Sequence, residues 1–389
     1  MIDFSAIFDE SPFVHLNHAA DMYARDVLAN RILACRFVKL ACHRHLADRL
    51  RAESGQFRYI FNESLADVRI GFNSLCKHFE GEWGGQPFVP EAWQVFIQSS
   101  LYGWVDRETG LRRFKIAYIS VARKNGKSFM CGTDGLYLLI MDGEPGAQIV
   151  CAATKLDQAA IVHKVSVEIV KASEELGQIV SISKLGRKEI FNLSVESTSS
   201  RYKPLGKESK TEDGLNIHGA LVDEVHAHPN RGMWDVLETA RGARRQPLMI
   251  AITTRGFDQT SIGYELDDYA IRTIKGLTDD ETFFGIIYTL DLKKDWPDLK
   301  TKDEIASGEV GVQEDDWTDE RAWLKPNPCL GVSKKLETLR EGALKAAQIP
   351  ASQNNFLTKE MNVWTSQASR WIMLDLWDLN FTDDVYEAA

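Results

Sequence analysis

Residues 114–129 read FKIAYISVARKNGKSF, and this stretch decides the fold. Its first part, residues 116–121, is apolar and rich in β-branched side chains, which predicts a strand. A Gly-Lys-Ser tripeptide follows at 126–128, and residues 129–141 are compatible with a helix. A strand, a glycine-containing loop and a helix in this order are typical of a phosphate-binding loop, because the backbone amides at the start of the helix point at the anion.

The loop offers a group for each part of a bound triphosphate. Lys127 is expected to neutralise the β- and γ-phosphate oxygens, and the Ser128 hydroxyl to ligate Mg²⁺. The candidate ATP-binding residues of the loop are Arg123, Lys124, Asn125, Gly126, Lys127 and Ser128. The usual loop opens with a further glycine, and here Val121 stands at that position. Because the tripeptide also recurs by chance, an ordinary strand-to-helix turn with a surface lysine is the alternative.

A second motif lies downstream, at residues 219–224. Its sequence GALVDE is a short apolar strand that ends in two adjacent carboxylates, as a Walker B strand does. Asp223 is expected to hold Mg²⁺ through water, and Glu224 to polarise the attacking water. The alternative for one Asp-Glu pair is a solvated strand end. Two motifs in this order, each at the end of a predicted strand, favour a nucleoside triphosphatase.

Composition limits the classes of protein that the chain can belong to. Its formal net charge of −10 argues against a uniformly basic surface for duplex DNA, although a motor can grip DNA through a local patch. No apolar run approaches the ~20 residues that span a bilayer, and the N-terminus lacks the pattern of a signal peptide. The six cysteines show neither CxxC nor zinc spacing, which predicts reduced thiols in a cytoplasmic protein.

The chain divides into three predicted parts. Residues 1–88 are a helical N-terminal region, in which residues 21–51 have helical spacing of apolar side chains without Gly or Pro. Residues 89–291 alternate strands and helices, which predicts an α/β ATPase core with a mostly parallel sheet flanked by helices. Residues 292–389 are richer in charge, Pro and Gly, and predict a helical linker or lid.

The motifs together resemble the large terminase subunit of tailed bacteriophages, in the group with Arg-Lys-Asn-Gly-Lys-Ser as its Walker A core. The likeness extends over roughly residues 25–380. Besides the two motifs above, it rests on Trp93-Gln94, residues 152–154 and 157–159, residues 213–228, residues 252–256, Trp323 with 326–328, and residues 362–364. The resemblance implies a P-loop NTPase of the ASCE type.

The resemblance also implies roles for single residues. Gln94 would read the adenine edge, and Arg123 would reach the γ-phosphate or sense its loss, so that Arg123, Lys127 and Glu224 form the candidate catalytic set. Thr253 and Thr254 would couple phosphate release to movement, with plain β-propensity as the alternative. Three arginines are candidates for a finger that acts on a neighbouring subunit, with structural roles as the alternative: Arg241, Arg244 and Arg245.

The function that the resemblance implies is an ATP-driven motor, with ATP and Mg²⁺, that moves double-stranded viral DNA into a procapsid. It would work as a homo-oligomeric ring with the portal protein and the small terminase subunit, in the bacterial cytoplasm and without a membrane. One alternative is another DNA-acting P-loop ATPase, helicase-like or defensive. The other is a non-catalytic assembly protein that docks on a portal, and ATP turnover discriminates between the two classes.

Members of this family continue into a nuclease domain of the ribonuclease-H type, whose carboxylates bind two metal ions. Such a domain would begin soon after Trp371 and Trp377. The acids near the end of the chain, such as Asp375 and Asp378, precede no strand pattern that would position them. The sequence therefore predicts an ATPase part without the nuclease domain, and no nuclease activity.

Overall fold

An eight-stranded sheet forms the centre of the molecule, in a computed structural model that describes residues 8–153, 156–185, 190–206, 214–228 and 230–366. A separate antiparallel pair is formed by β1 (Tyr59–Phe61) and β2 (Trp104–Asp106). The strands of the main sheet are β3 (Ile116–Ser120), β4 (Gln148–Ala152), β5 (Ser181–Lys184), β6 (Phe191–Val195), β7 (Ser200–Leu205), β8 (Ile217–Asp223), β9 (Leu248–Thr253) and β10 (Phe283–Ile287).

The order of the strands places β9 between the strand that precedes the Gly-Lys-Ser loop and the strand that ends in Asp223. The full order is β10-β3-β9-β8-β4-β7-β6-β5. All pairs from β10 to β7 are parallel, and β7, β6 and β5 pair antiparallel. A strand inserted between the two motif strands is the hallmark of the ASCE type, so the predicted α/β P-loop NTPase fold is confirmed.

The register of the parallel strands brings the motifs to one edge of the sheet. Ser120 pairs with Thr253, and Asp223 pairs with Ile252, so β3, β9 and β8 end within one residue of each other. In open parallel sheets, ligands bind in the crevice outside these carboxyl ends.

Helices cover the sheet on both faces and build the N-terminal region. Their bounds are α1 (Ala19–Leu28), α2 (Arg36–Glu53), α3 (Glu63–Phe72), α4 (Ala92–Gly103), α5 (Lys127–Ile140), α6 (Leu156–Ala172), α7 (Glu174–Ile179), α8 (Gly232–Ala240), α9 (Ile262–Ile274), α10 (Lys302–Ala306), α11 (Leu336–Gln348) and α12 (Pro350–Lys359). The first helix after the loop, α5, passes close over β7. A Cβ on Gly135 would lie 2.8 Å from the ring of Tyr202, so the close approach requires glycine there.

The N-terminal helices share one hydrophobic core with the sheet. Residues 21–51, whose spacing predicted helical structure, lie in two helices separated by a turn at Asn30, whose φ is 58°. A buried ion pair fixes α3 to α5: Arg69 Nη2 lies 2.7 Å from Asp134 Oδ1, and both side chains are fully buried. The helix that follows the Gly-Lys-Ser loop is therefore fixed to the N-terminal helices.

The residues after β10 form a second, smaller hydrophobic cluster around Trp323 and Phe356. Helices α11 and α12 of this region pack on each other. We call residues 322–364 the return segment, because this stretch leads back to the sheet. Among the residues that the structure describes, no helix is long and apolar enough to cross a bilayer. The six cysteines are all buried and unpaired.

Candidate active site

The loop between β3 and α5, residues 121–128, is called the phosphate loop below. Val121 continues the strand, with its N–H donating to the carbonyl of Thr253 at 3.0 Å. The left-handed turns of the loop fall at Lys124, with φ 65°, and at Gly126, with φ 74°. Position 121 therefore needs no glycine. Consecutive amides in such a turn form a concave nest that binds anions.

Asn125 holds the phosphate loop in shape from inside. Its amide nitrogen donates to the carbonyls of Ala122 at 3.0 Å and Arg123 at 3.1 Å, and its Oδ1 accepts the backbone N–H of Cys329 at 3.0 Å. A second buried amide, Asn327 of the return segment, accepts from Asn125 through Oδ1 at 3.1 Å. The side chain of Asn125 thus stabilises the conformation of the loop, and only its backbone is free to face a nucleotide.

Lys127 is folded back onto its own loop. Its ammonium donates to the carbonyl of Val121 at 3.0 Å and lies 3.4 Å from that of Ala122, and the residue is 7 % exposed. Burial lowers the pKa of Lys127, while the carboxylates of Glu224 and Asp223 oppose that shift. A phosphate can replace the two weak carbonyl partners with a charged one. Ser128 lies half-buried in the first turn of α5, directly after Lys127.

The acidic pair sits at the end of β8, at the same edge of the sheet as Lys127. The Glu224 N–H donates to Asp223 Oδ1 at 2.9 Å and to the carbonyl of Ile252 at 3.0 Å. Glu224 has φ 47°, a left-handed conformation that is costly for a residue with a side chain. This turn sends the Glu224 carboxylate away from the strand and towards Thr254, which follows β9.

His226 orients the Glu224 carboxylate. Its Nδ1 lies 3.0 Å from Glu224 Oε2 and 2.9 Å from Thr253 Oγ1. The Thr253 hydroxyl donates to the carbonyl of Thr254 at 2.7 Å, so its oxygen is an acceptor and Nδ1 carries the hydrogen. Thr254 Oγ1 adds a donor to Glu224 Oε2 at 3.3 Å. His226 therefore links the loop after β8 to the end of β9.

The two carboxylates of the pair have opposite pKa shifts. Burial raises the pKa of Asp223, and the neighbouring charge of Glu224 raises it further, to about 7. Burial also disfavours the Glu224 carboxylate, but the hydrogen bond from His226 and the charge of Lys127 outweigh it and lower its pKa to about 2. Glu224 is therefore ionised throughout the neutral range, whereas Asp223 gains most from a nearby cation.

The donors next to the phosphate loop suit Mg²⁺. The Ser128 hydroxyl and the Asp223 carboxylate are hard oxygen ligands, and Mg²⁺ takes one or two protein oxygens while it keeps water and phosphate as its other ligands. The Asp223 carboxylate is buried, and its negative charge is costly without a nearby cation. It is therefore suited to binding Mg²⁺. Among the described residues, no group of three or more His, Cys, Asp or Glu side chains forms a metal cluster.

Gln94 lies against the phosphate loop in the first turn of α4. It is 2 % exposed, and its Nε2 would be 3.2 Å from a Cβ on Gly126. Its Oε1 accepts the N–H of Glu91 at 2.9 Å and so caps the helix. The predicted contact of Gln94 with adenine stays a prediction.

The three finger candidates lie at the opposite edge of the sheet. Arg241 Nη1 donates to the carbonyl of Lys115, just before β3, at 3.2 Å. Arg244 Nε donates to the carbonyl of Asn216, just before β8, at 2.9 Å. Arg245 is exposed. The structure does not bring these arginines to the site of their own chain, and their action on a neighbour stays a prediction.

Asn362 of the return segment makes structural contacts that the sequence did not reveal. Its Nδ2 donates to Ser120 Oγ at 2.9 Å and to the carbonyl of Tyr288 at 2.7 Å, and its Oδ1 accepts the N–H of Arg255 at 2.7 Å. One buried amide thus joins the carboxyl ends of β3, β9 and β10.

We expect Asn362→Ala to lower the free energy of unfolding by about 3 kcal/mol or more, because three buried partners lose a hydrogen bond and alanine disfavours φ 54°. The matched control is Asn30→Ala, at an exposed asparagine with φ 58°. It carries the same backbone strain and should cost about 1 kcal/mol. Urea unfolding followed by circular dichroism measures both. Equal losses in the two variants would contradict the anchoring role.

The fold and the site together define a P-loop ATPase of the ASCE type. Residues 92–272 match the family model "Terminase large subunit, ATPase domain", and residues 310–386 match "Terminase large subunit, endonuclease domain". The chain is therefore similar to terminase large subunits, and its residues 92–272 resemble their ATPase domain.

The chain is also similar to two curated proteins and to a solved structure. The chain is 29% identical to the large terminase subunit of Enterobacteria phage HK97 over 313 residues, which are 78% of this chain and 54% of that protein. It is 34% identical to Protein YmfN of Escherichia coli (strain K12) over 171 residues, 44% of this chain and 33% of that protein. The crystal structure of the HK97 large terminase superposes with a TM-score of 0.61 at 26% identity, covering 81% of this chain and 58% of the other. The chain thus spans about half or less of the length of these curated relatives.

The match at residues 310–386 corrects one prediction. The sequence predicted that the nuclease domain is missing and that nuclease activity is not expected, whereas similarity to the endonuclease domain begins inside the region taken as a linker. The start of the nuclease domain was predicted too late in the sequence, soon after Trp371 and Trp377. A resemblance judged from a few motifs does not reveal where a domain begins. Asp375, Asp378 and the tryptophans lie outside the described residues.

Proposed function

We propose that this chain is the ATP-hydrolysing motor part of a terminase large subunit, which drives double-stranded viral DNA into a procapsid. One observation carries the proposal: the phosphate loop with Lys127 and the oriented carboxylate of Glu224 lie at the carboxyl ends of β3 and β8, two parallel strands that both pair with β9. The similarity to the HK97 large subunit supports DNA as the load that this ATPase moves.

The residues of the site divide the work of phosphoryl transfer. Lys127 leaves the carbonyls of its own loop and binds the β- and γ-phosphate oxygens, while the loop amides surround them. Arg123, exposed beside them, adds positive charge as the phosphate bond breaks. Mg²⁺, held by Ser128 and Asp223, supplies charge neutralisation when it is bound.

Glu224 positions and polarises the attacking water. A carboxylate with a pKa of about 2 is always ionised here, so it orients the water through a strong hydrogen bond. His226 and Thr254 fix the direction of that carboxylate. Thr254 donates to Glu224, and Thr253, the last residue of β9, contacts His226. These contacts make the two threonines suitable for transmitting the loss of phosphate to the rest of the molecule.

We also propose the partners and the setting that such a motor needs. These are double-stranded DNA, the small terminase subunit and the portal of a procapsid, in the cytoplasm of a bacterial host. The chain has a net charge of −10, so an isolated subunit should bind duplex DNA poorly, and a ring would bring local basic patches together. A ring would also allow Arg241, Arg244 or Arg245 to reach a neighbouring site.

We expect turnover to depend on assembly, because an arginine finger from a neighbour adds a factor of about 10³–10⁵ in related enzymes. ATP turnover per subunit should rise with protein concentration, and mixing in Glu224→Gln subunits should lower it by more than their share. Phosphate release from mixtures of fixed total concentration measures this, with added wild-type subunits as the control. Turnover strictly proportional to the wild-type concentration would show that each subunit works alone.

ATP turnover by the purified chain, with and without DNA and portal, tests the proposal itself. A non-catalytic docking protein would bind portal and hydrolyse nothing. A helicase-like ATPase would be stimulated by DNA without any portal. The proposed motor requires turnover that the portal and DNA increase together.

A further inference from the structure

The return segment brings a lysine to the active site from a distant part of the chain. Lys359 is the last residue of α12, and its carbonyl accepts the N–H of Arg123 at 3.0 Å. This backbone hydrogen bond joins the end of α12 directly to the phosphate loop. Three residues further on, Asn362 fastens the same turn to Ser120 and Arg255. The backbone around Lys359 is therefore fixed relative to the nucleotide site.

The Lys359 side chain points towards the water-positioning carboxylate. Its Nζ lies 3.2 Å from Nε2 of His226, whose Nδ1 is 3.0 Å from Glu224 Oε2. Because Nδ1 carries the hydrogen, Nε2 is the acceptor and the ammonium donates to it. The ammonium is thus separated from the Glu224 carboxylate by a single imidazole ring. The ring of Phe257 closes one side, with its centroid 5.6 Å from Nζ.

The charge of Lys359 lacks a carboxylate partner of its own. Within the part of the chain that the structure describes, no ion pair to this lysine is formed, whereas the nearby Lys334 pairs with Glu360 at 2.6 Å. Burial lowers the pKa of Lys359, and the positive charges of Arg123 and Lys127 lower it further against the pull of Glu224. Cations that converge without a counter-ion cost free energy, which a polyanion placed among them would recover.

We propose that Lys359 binds the terminal phosphate of the nucleoside triphosphate, opposite Lys127. This inference rests on the proposed function and adds a substrate-binding residue to it. Lys127 approaches from the start of α5 and Lys359 from the end of α12, so the γ-phosphate holds the return segment against the phosphate loop. When that phosphate leaves, the contact from the return segment is lost while the contacts of the loop to the β-phosphate remain.

The test compares triphosphate with diphosphate affinity in Lys359→Met, which keeps the aliphatic stem and removes the charge. The affinity for a non-hydrolysable ATP analogue should fall about tenfold or more, as for a lost charged hydrogen bond, and the affinity for ADP should change less than about twofold. Lys359→Arg should recover much of the difference. The matched control is Lys345→Met, at an exposed lysine on α11, and should leave both affinities unchanged.

Isothermal titration with Mg²⁺ present measures each affinity, and circular dichroism checks the fold of each variant. If Lys359→Met does not fold, Lys359→Gln gives the same comparison. An equal loss for both nucleotides, or no loss, would overturn the role of Lys359 and leave the ATPase assignment standing. If the wild-type chain bound neither nucleotide, the proposed function would fail, and this inference with it.

Discussion

Replacing Lys127 by methionine should reduce ATP turnover by about 10²–10³-fold, the usual cost of one electrostatic contact to the reacting group. The ammonium of Lys127 is buried beside the phosphate loop and has only backbone carbonyls as partners. Methionine keeps most of the volume, so the loop should still form. Triphosphate affinity should fall together with turnover, because the same charge holds the ground state and the transition state.

Steady-state phosphate release measures the effect, and Lys345→Met serves as the control for loss of a single positive charge from the surface. The control should retain wild-type turnover. Unchanged turnover in Lys127→Met would show that the Gly-Lys-Ser loop is an ordinary strand-to-helix turn, which was the alternative reading of the sequence.

Replacing Glu224 by glutamine should separate binding from chemistry. Glutamine keeps the shape at φ 47° but loses the charge that orients water, so turnover should fall by about 10²–10⁴-fold. The affinity for Mg-ATP should stay within a few-fold of wild type. His226→Gln is the graded comparison: it leaves the carboxylate in place without its Nδ1 donor, and should give a smaller loss.

Single-turnover hydrolysis with bound nucleotide distinguishes these outcomes, because it excludes product release from the measured rate. If Glu224→Gln hydrolysed ATP at the wild-type rate with intact binding, another residue would have to position the water. If its binding were lost as well, Glu224 would act in holding the nucleotide and not in the chemical step.

The motif strands were predictable because their signal is local. Residues 116–121 were predicted as a strand and form β3, Ile116–Ser120, and the equally apolar residues 248–253 form β9. Each is an apolar, β-branched run with polar residues at its end, which needs no distant partner to be recognised. Strand β7, Ser200–Leu205, was not predicted, because Arg201, Lys203 and Pro204 interrupt its apolar pattern. These residues form a strand because they pair with β4 in the folded protein.

The helix break at Asn30 was missed for a similar reason. Apolar residues on both sides of it keep helical spacing, and nothing but the left-handed asparagine and its surroundings ends α1. Gly and Pro are the usual residues that end a helix, and residues 21–51, whose spacing predicted helical structure, contain neither.

The return segment shows what sequence patterns cannot supply. A lysine in the last turn of a helix is common, because its positive charge interacts favourably with the helix dipole. The position of Lys359 at the end of α12 therefore gave no indication of a distant contact. Its neighbours in space, His226 and Arg123, are more than 130 residues away in sequence. Contacts of this kind depend on how α12 packs, and only the folded chain reveals them.

The most direct test of the central claim is phosphate release from Mg-ATP by the purified chain, compared with the Lys127→Met and Glu224→Gln variants under identical conditions. The proposed site predicts saturable turnover by the wild-type chain, loss of both binding and turnover in Lys127→Met, and retained binding without turnover in Glu224→Gln. Equal rates in all three proteins, or no turnover by the wild type even with DNA and portal, would contradict the assignment of an ATP-hydrolysing motor.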